Sequence, residues 1–166
     1  MLWGWRMQPH VRQFYQKSPI TLNELAQHLG PRVRGEERTL CHLALHRGRP
    51  FGYLQCYRNA DWPTWSELIG AARGVSVDLH IGDAAFLGRG FGRAMLHGYT
   101  WEVALRLYEE DTAYIAHETA NLAALRCSRA VGFRPLREFV EDGVPMRLLS
   151  LGPLEPDGST RNRCGG

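Results

Sequence analysis

The chain has 166 residues, 44% of them apolar and 22% charged, proportions that suit a soluble globular protein with one substantial core. A formal net charge of +3, from 20 Lys and Arg against 17 Asp and Glu, is too small to argue for a nucleic-acid partner. No apolar run is long enough to span a bilayer, and the opening Met1-Leu2-Trp3-Gly4-Trp5-Arg6 is not a secretory signal, so neither a membrane partner nor export is expected.

In chain order, Leu2 to Tyr15 reads as a helix interrupted at Pro9. Thr21 and Glu24 form a capping box for a helix expected to stop at Gly30-Pro31. That helix resembles the first half of a helix-turn-helix, but Pro31, Gly35 and a charged run stand where the recognition helix is required, which argues against the motif. Leu40 to His46 and Phe51 to Tyr57 alternate and read as a hairpin around Arg47-Gly48-Arg49-Pro50. Residues 59–73 read as an irregular loop, whose Trp62 and Trp65 either cap the core or wall a ligand site. Val75, Val77, Leu79 and Ile81 alternate as a strand; Ala94 to Tyr108 has helical periodicity. Ala113 to His117 is a strand, and Asn121 caps a helix that stops at Gly132. Arg134 to Val140 and Val144 to Leu151 flank the turn Glu141-Asp142-Gly143. The chain thus reads as one α/β domain over 1–151 with a mixed sheet and a loose tail over 152–166. Cys41, Cys56, Cys127 and Cys164 show no C-x-x-C spacing, and the first three read as buried thiols of a reducing cytoplasm.

Between the strand ending at Ile81 and the next helix stands Leu87-Gly88-Arg89-Gly90-Phe91-Gly92-Arg93-Ala94. Glycines this dense cost backbone entropy, and here they let main-chain N–H groups at a helix start approach an anion, with Arg89 and Arg93 alongside. A nucleoside-triphosphate P-loop requires Gly-Lys-Ser/Thr where the chain has Gly92-Arg93-Ala94. A dinucleotide fold requires G-x-G-x-x-G, whereas the spacing from Gly88 is G-x-G-x-G.

The segment from Asp78 to Phe133 resembles the GNAT superfamily of acyl-CoA-dependent N-acyltransferases. Gly90-Phe91-Gly92 matches its pyrophosphate loop, and Asn121, Leu125 and Val131-Gly132-Phe133 match the helix that follows. Leu87 departs from the family's Arg or Gln. Leu2-Trp3-Gly4-Trp5, Pro9-His10-Val11, Gly52 to Tyr57 and Val77 to Asp83 are similar to the aminoglycoside 6'-N-acetyltransferase branch, although that branch opens with a strand and this chain begins at a helix. The resemblance implies a mostly antiparallel GNAT sheet lacking its usual first strand, which would leave a sheet edge open to pairing of two copies as a homodimer. It implies acetyl-CoA as cosubstrate, no metal, and direct transfer of acetyl to a small-molecule primary amine, with an aminoglycoside leading. A siderophore hydroxylamine, a protein amine or a catalytically silent CoA-binding module are the alternatives.

The same resemblance assigns cosubstrate contacts to Leu79, His80, Ile81, Leu87, Gly88, Arg89, Gly90, Phe91, Gly92, Arg93 and Asn121. Asp78 is the candidate base, since an acid in a central strand needs a reason. Trp62, Trp65, Glu67, Asp78 and Glu118 are candidate acceptor-binding residues, with Asp61 a weaker acid. Two departures stand out. Ser128 replaces the family's Tyr proton donor and is the candidate in its place; Ala116 replaces the branch's acceptor-binding Asp, with His117-Glu118 beside it.

Overall fold

The computed structural model describes residues 1–152, which form six strands: β1 (Leu40–His46), β2 (Arg49–Arg58), β3 (Val75–Ile81), β4 (Ala113–Glu118), β5 (Arg134–Glu141) and β6 (Val144–Leu151). They form one sheet in the order β1-β2-β3-β4-β6-β5. Every neighbouring pair is antiparallel except β3 and β4, which run parallel. β1 is a sheet edge, with Leu43 and Leu45 exposed on it. Among the described residues no strand precedes the first helix.

The helices are α1 (Leu2–Arg6), α2 (Pro9–Arg12), α3 (Leu22–Val33), α4 (Pro63–Ile69), α5 (Phe91–Gly98), α6 (Leu105–Tyr108) and α7 (Leu122–Val131). A π-helical stretch, Tyr99–Ala104, joins α5 to α6. One face of the sheet packs Leu54, Cys56, Val75, Val77 and Ile115 against Met95, Leu96 and Leu125 of α5 and α7. On the other face Tyr53 meets Leu25 and Leu29 of α3, and Tyr114 and Leu148 meet Ile69 of α4.

The capping box at Thr21 and Glu24 is formed, and Asn121 caps α7 through its side-chain oxygen. Three local expectations change. α3 continues through Gly30-Pro31 to Val33, because proline interrupts the ladder without preventing the next turn, where the Arg34 N–H donates to Gly30 O. The stretch 59–73 contains α4: Pro63 opens it, and Trp65 and Ile69, four residues apart, face inward. The helix after the glycine turn starts at Phe91 rather than Ala94, with Gly90 as its N-cap. Of the thiols, Cys56 is buried whereas Cys41 and Cys127 are half-buried; Cys164 and residues 153–166 of the expected tail lie outside the described residues.

β3 and β4 pair only at Val75–Ala113 and Ser76–Tyr114. Their outer edges are paired throughout, β3 with β2 from Val75 to Ile81 and β4 with β6 from Ala113 to Glu118. The two central strands therefore part beyond Ser76, and the sheet opens.

Gly82, directly after β3, seats the N-terminal helices against this opening: a Cβ there would lie 2.0 Å from Trp5 Cδ2. Trp5 is buried, so it has little room to give. Gly82→Ala is expected to lower stability by about 1–3 kcal/mol through overpacking, read as a reduced urea midpoint at unchanged slope. An unchanged midpoint would contradict this packing.

Candidate active site

Alternation decides which main-chain groups face the opening. The Val75 N–H donates across to Thr112 O at 3.0 Å, and the Gly82 N–H donates in the opposite direction to Phe51 O at 2.8 Å. Odd-numbered residues of β3 therefore turn their N–H and C=O toward β4, and even-numbered ones toward β2. Beyond the two paired positions, the N–H groups of Leu79 and Ile81 point into the split. The His80 main chain instead faces Tyr53 of β2, which removes its amide from the expected cosubstrate contacts. The Ile81 carbonyl accepts a hydrogen bond from His10 Nε2 at 2.9 Å, so that nitrogen carries the proton.

The His80 ring serves packing. It is 8% exposed, stacks on Tyr15 at 4.5 Å between centroids, and has no hydrogen-bond partner at either nitrogen. Burial, with Arg6 and His10 nearby, holds its pKa down to about 3.

Asp78 lies on the same face, half-buried, opposite Gln55 of β2. Gln55 Nε2 donates to Asp78 Oδ2 at 2.8 Å. The orientation of Gln55 is fixed by its own oxygen, which accepts from Tyr53 Oη at 2.8 Å and from Arg32 at 2.9 Å. Asp78 Oδ1 has no protein partner among the described residues. Burial raises the Asp78 pKa above the ordinary carboxylate range, opposed by the Gln55 bond and by Arg32 and Arg6. A carboxylate so raised is a stronger proton acceptor.

The glycine turn is an open row of donors. Gly88 (φ 69°) and Gly90 (φ 82°) adopt left-handed conformations with open space where a Cβ would stand. Main-chain bonds resume at Leu87 N–H to Ala84 O and at Ala94 N–H to Gly90 O, leaving the N–H groups from Gly88 to Arg93 without a main-chain acceptor. Phe91 contributes only its amide, because its ring packs on Phe86 and Phe51. The Arg89 guanidinium bonds Ala85 O and lies over Phe91. Leu87 and Arg93 are exposed beside the turn. Asn121 stands at the start of α7, its side-chain oxygen accepting from the Ala124 N–H at 3.2 Å.

Trp62 and Trp65 meet Tyr57 edge-on at 6.1 and 6.4 Å. Asp78 and Glu141 both push the Tyr57 pKa up, after burial, which places the aromatic group and the two acids in one neighbourhood. Trp65 Nε1 is bonded to Ser76 Oγ at 2.8 Å. Glu67 is not brought there: α4 turns it outward, two residues from the inward Trp65, and it is exposed. Asp61 is paired with Arg38 at 2.5 Å. Glu118 has its own cation, Lys17 Nζ at 2.6 Å. Ser128 is fully buried with its hydroxyl 2.8 Å from His117 Nε2, so it is no free hydroxyl; burial depresses the His117 pKa to about 4.

Glu141 was hidden as a turn residue, yet burial and then Asp78 raise its pKa. Lys17 carried no motif and His10 no assigned role, and only the fold returns the N-terminal segment to β3 and β4.

The family described as the acetyltransferase (GNAT) domain matches residues 1–140. The chain is similar to the solved structure of AAC(6')-Ib in complex with paromomycin and acetyl-CoA: TM-score 0.79, 23% identity, covering 92% of this chain and 86% of that one. An aminoglycoside N(6')-acetyltransferase from Legionella pneumophila aligns with TM-score 0.69 at 20% identity over 91% of this chain and 84% of that one. An uncharacterised Bacillus halodurans protein aligns with TM-score 0.81 at 18% identity over 92% and 77%. These likenesses show a shared fold. No curated protein sequence matches.

His80 generates a stability prediction. Its folded pKa of about 3 lies below the ordinary 6.5, so the unfolded chain binds the proton first and stability falls as pH drops from about 6.5 toward 3. His80→Phe, which removes two partnerless nitrogens, is expected to keep stability at pH 7 and flatten that acid loss in urea titrations. An acid slope equal to that of the parent would contradict it.

Proposed function

The chain belongs to the GNAT acetyltransferase family, and on that premise we propose that it transfers acetyl from acetyl-CoA to a primary amine of a small cationic molecule, with the 6'-amine of an aminoglycoside as the leading acceptor. The observation that carries the reading is the parting of β3 from β4 beyond Ser76, with Asp78 on one face and the glycine turn beyond the strand's end.

The residues fit the cosubstrate. The N–H row from Gly88 to Arg93 is suited to the pyrophosphate, with Arg89 and Arg93 adding charge. Leu79 N–H and C=O suit the amide-bearing pantetheine arm. Acetyl-CoA supplies an activated thioester. Leu79 and Ile81 N–H groups polarise a carbonyl placed between the strands, and the surrounding main chain excludes water. Asp78 Oδ1 takes the proton of the attacking ammonium, directly or through water, while Gln55 holds Oδ2. Tyr57, Trp62, Trp65 and Glu141 wall the acceptor side, and the Glu141 carboxylate and the ring faces suit a cation. Ser128 stands where the family carries a phenol, but it is fully buried and bonded to His117, which leaves protonation of the departing sulfur to solvent. Cys41, Cys56 and Cys127 are free thiols, which suits a cytoplasmic setting. The domain is taken as 1–151.

A second reading has its own observation. Ala116 offers no carboxylate and Glu118 is already paired with a lysine amine, an arrangement that favours a protein amine as acceptor.

Two measurements test the reading. Thiol release from acetyl-CoA is expected with kanamycin-type 6'-amines and not with 6'-hydroxyl analogues; no turnover with any amine would sink the enzyme reading. Asp78→Asn is expected to lower kcat by about 10²–10⁴-fold and to remove the acid limb of the kcat/KM profile. In the parent that limb falls as pH drops through a pKa above the ordinary carboxylate range, because protonated Asp78 accepts nothing. An unchanged profile in the variant would remove Asp78 as base.

A further inference from the structure

Lys17 is the only lysine in the chain; the other 19 of its 20 Lys and Arg residues are arginines. Its ammonium lies 2.6 Å from Glu118 Oε1, at the end of β4, and the Glu118 side chain is only 15% exposed. For a merely structural pair, arginine holds a carboxylate at least as well, through a planar fork. Lysine differs in one chemical respect: once deprotonated, its amine is a nucleophile.

The position matters as much as the residue type. β4 runs parallel to β3 with Val75 opposite Ala113, so Glu118 lies as many residues along β4 as His80 does along β3, on the far side of the gap that opens beyond Ser76. Glu118 falls on the same face as Tyr114, which shares a cluster with Trp65, the partner of Ser76 on the Asp78 face of β3. The segment carrying Lys17 is held there: Tyr15 stacks on His80 at 4.5 Å, and Arg6 donates to Gln16 Oε1 at 3.0 Å.

We propose that Lys17 is a self-acetylation site, an acceptor amine that the chain presents to its own active site. This rests on the acetyltransferase reading above. In the step, Nζ gives up a proton to Glu118 or Asp78 and its lone pair forms a bond to the acetyl carbonyl carbon. The carbon–sulfur bond breaks, and the sulfur leaves as the CoA thiol. The balance is one lysine ammonium and one acetyl-CoA giving one acetyl-lysine, one CoA thiol and one proton. Acetylation abolishes the charge of Lys17, ends its pairing with Glu118 and frees that carboxylate for an incoming ammonium.

The test uses the full chain purified without acetyl-CoA. On incubation with acetyl-CoA and no acceptor, intact mass is expected to rise by about 42 Da, mapped by peptide mass to Lys17. The rate constant should be independent of protein concentration, and the mark should be absent from Lys17→Arg and strongly slowed in Asp78→Asn. A mark only on the Met1 α-amine, or on Lys17 at equal rate in Asp78→Asn, would overturn the proposal. A second readout needs no turnover: in calorimetry without acetyl-CoA, Lys17→Met should bind kanamycin about 2–5-fold more tightly than the parent, the range expected for removing a half-exposed ion-pair competitor. Equal or weaker binding would contradict Lys17 as the occupant of Glu118. Turnover of small amines with Lys17 unmodified would overturn this inference and leave the acetyltransferase reading standing; absence of both would sink the two together.

Discussion

The site depends on a parallel ladder that stops after two residue pairs. β3 and β4 are the central strands of the sheet, each fully paired on its other edge. Had they remained together to their ends, the N–H groups of Leu79 and Ile81 would be spent on β4. Because they part at Ser76, main-chain polar groups remain unpaired in the middle of the sheet, where their desolvation has to be offset by some partner. One is partly satisfied from within the chain, since His10 caps the Ile81 carbonyl. Leu79 is left with both groups toward the opening, a preorganised pair of hydrogen-bonding groups whose position is set by the sheet rather than by a loop.

Everything else in the site is arranged around that gap. The glycine turn follows β3 after a short 3-10 turn, and its N–H row opens α5. Asp78 lies two residues past the last paired position and is aimed by Gln55, which is aimed in turn by Tyr53 and Arg32. The N-terminal segment closes over the same face with Tyr15 on His80, His10 on Ile81 and Lys17 on Glu118. Arg6 lies over the rings of Tyr15 and Tyr53 at 4.5 and 5.3 Å, so one buried guanidinium links the covering segment to the network that orients Asp78. These contacts suit a cover that orders the acceptor side before an acceptor arrives, which lowers the ordering cost of binding.

Much of the fold was legible in the residues. Period-two alternation located β1, β2 and β3, the turn Glu141-Asp142-Gly143 located β5 and β6, Thr21 with Glu24 and Asn121 marked two helix starts, and the three glycines from Gly88 to Gly92 marked the turn into α5. α4 escaped because Pro63 and Trp62 read as loop punctuation, although Trp65 and Ile69 at helical spacing carried its signal. The same oversight set Glu67 beside the site, when helical phase turns it away. His80 illustrates a different limit. Its place in β3 was clear, but whether its amide faces β2 or β4 depends on the parity of pairing across two strands remote in sequence. Lys17 carries no local pattern, and the motif around His10 and the turn at Glu141 say nothing of where those side chains go; all three reach the site only through tertiary packing. Ser128 was visible as a substitution, whereas its bond to His117 required both α7 and β4.

The central claim is that the β3–β4 gap and the glycine turn form one acyl-CoA site. Amide hydrogen exchange with and without CoA measures it at residue level, since both halves of the claim concern main-chain N–H groups. The account predicts that CoA slows exchange together at Leu79 and from Gly88 to Arg93, with amides of β1 unchanged. Protection at other amides while Leu79 and the glycine turn keep their free rates would contradict it.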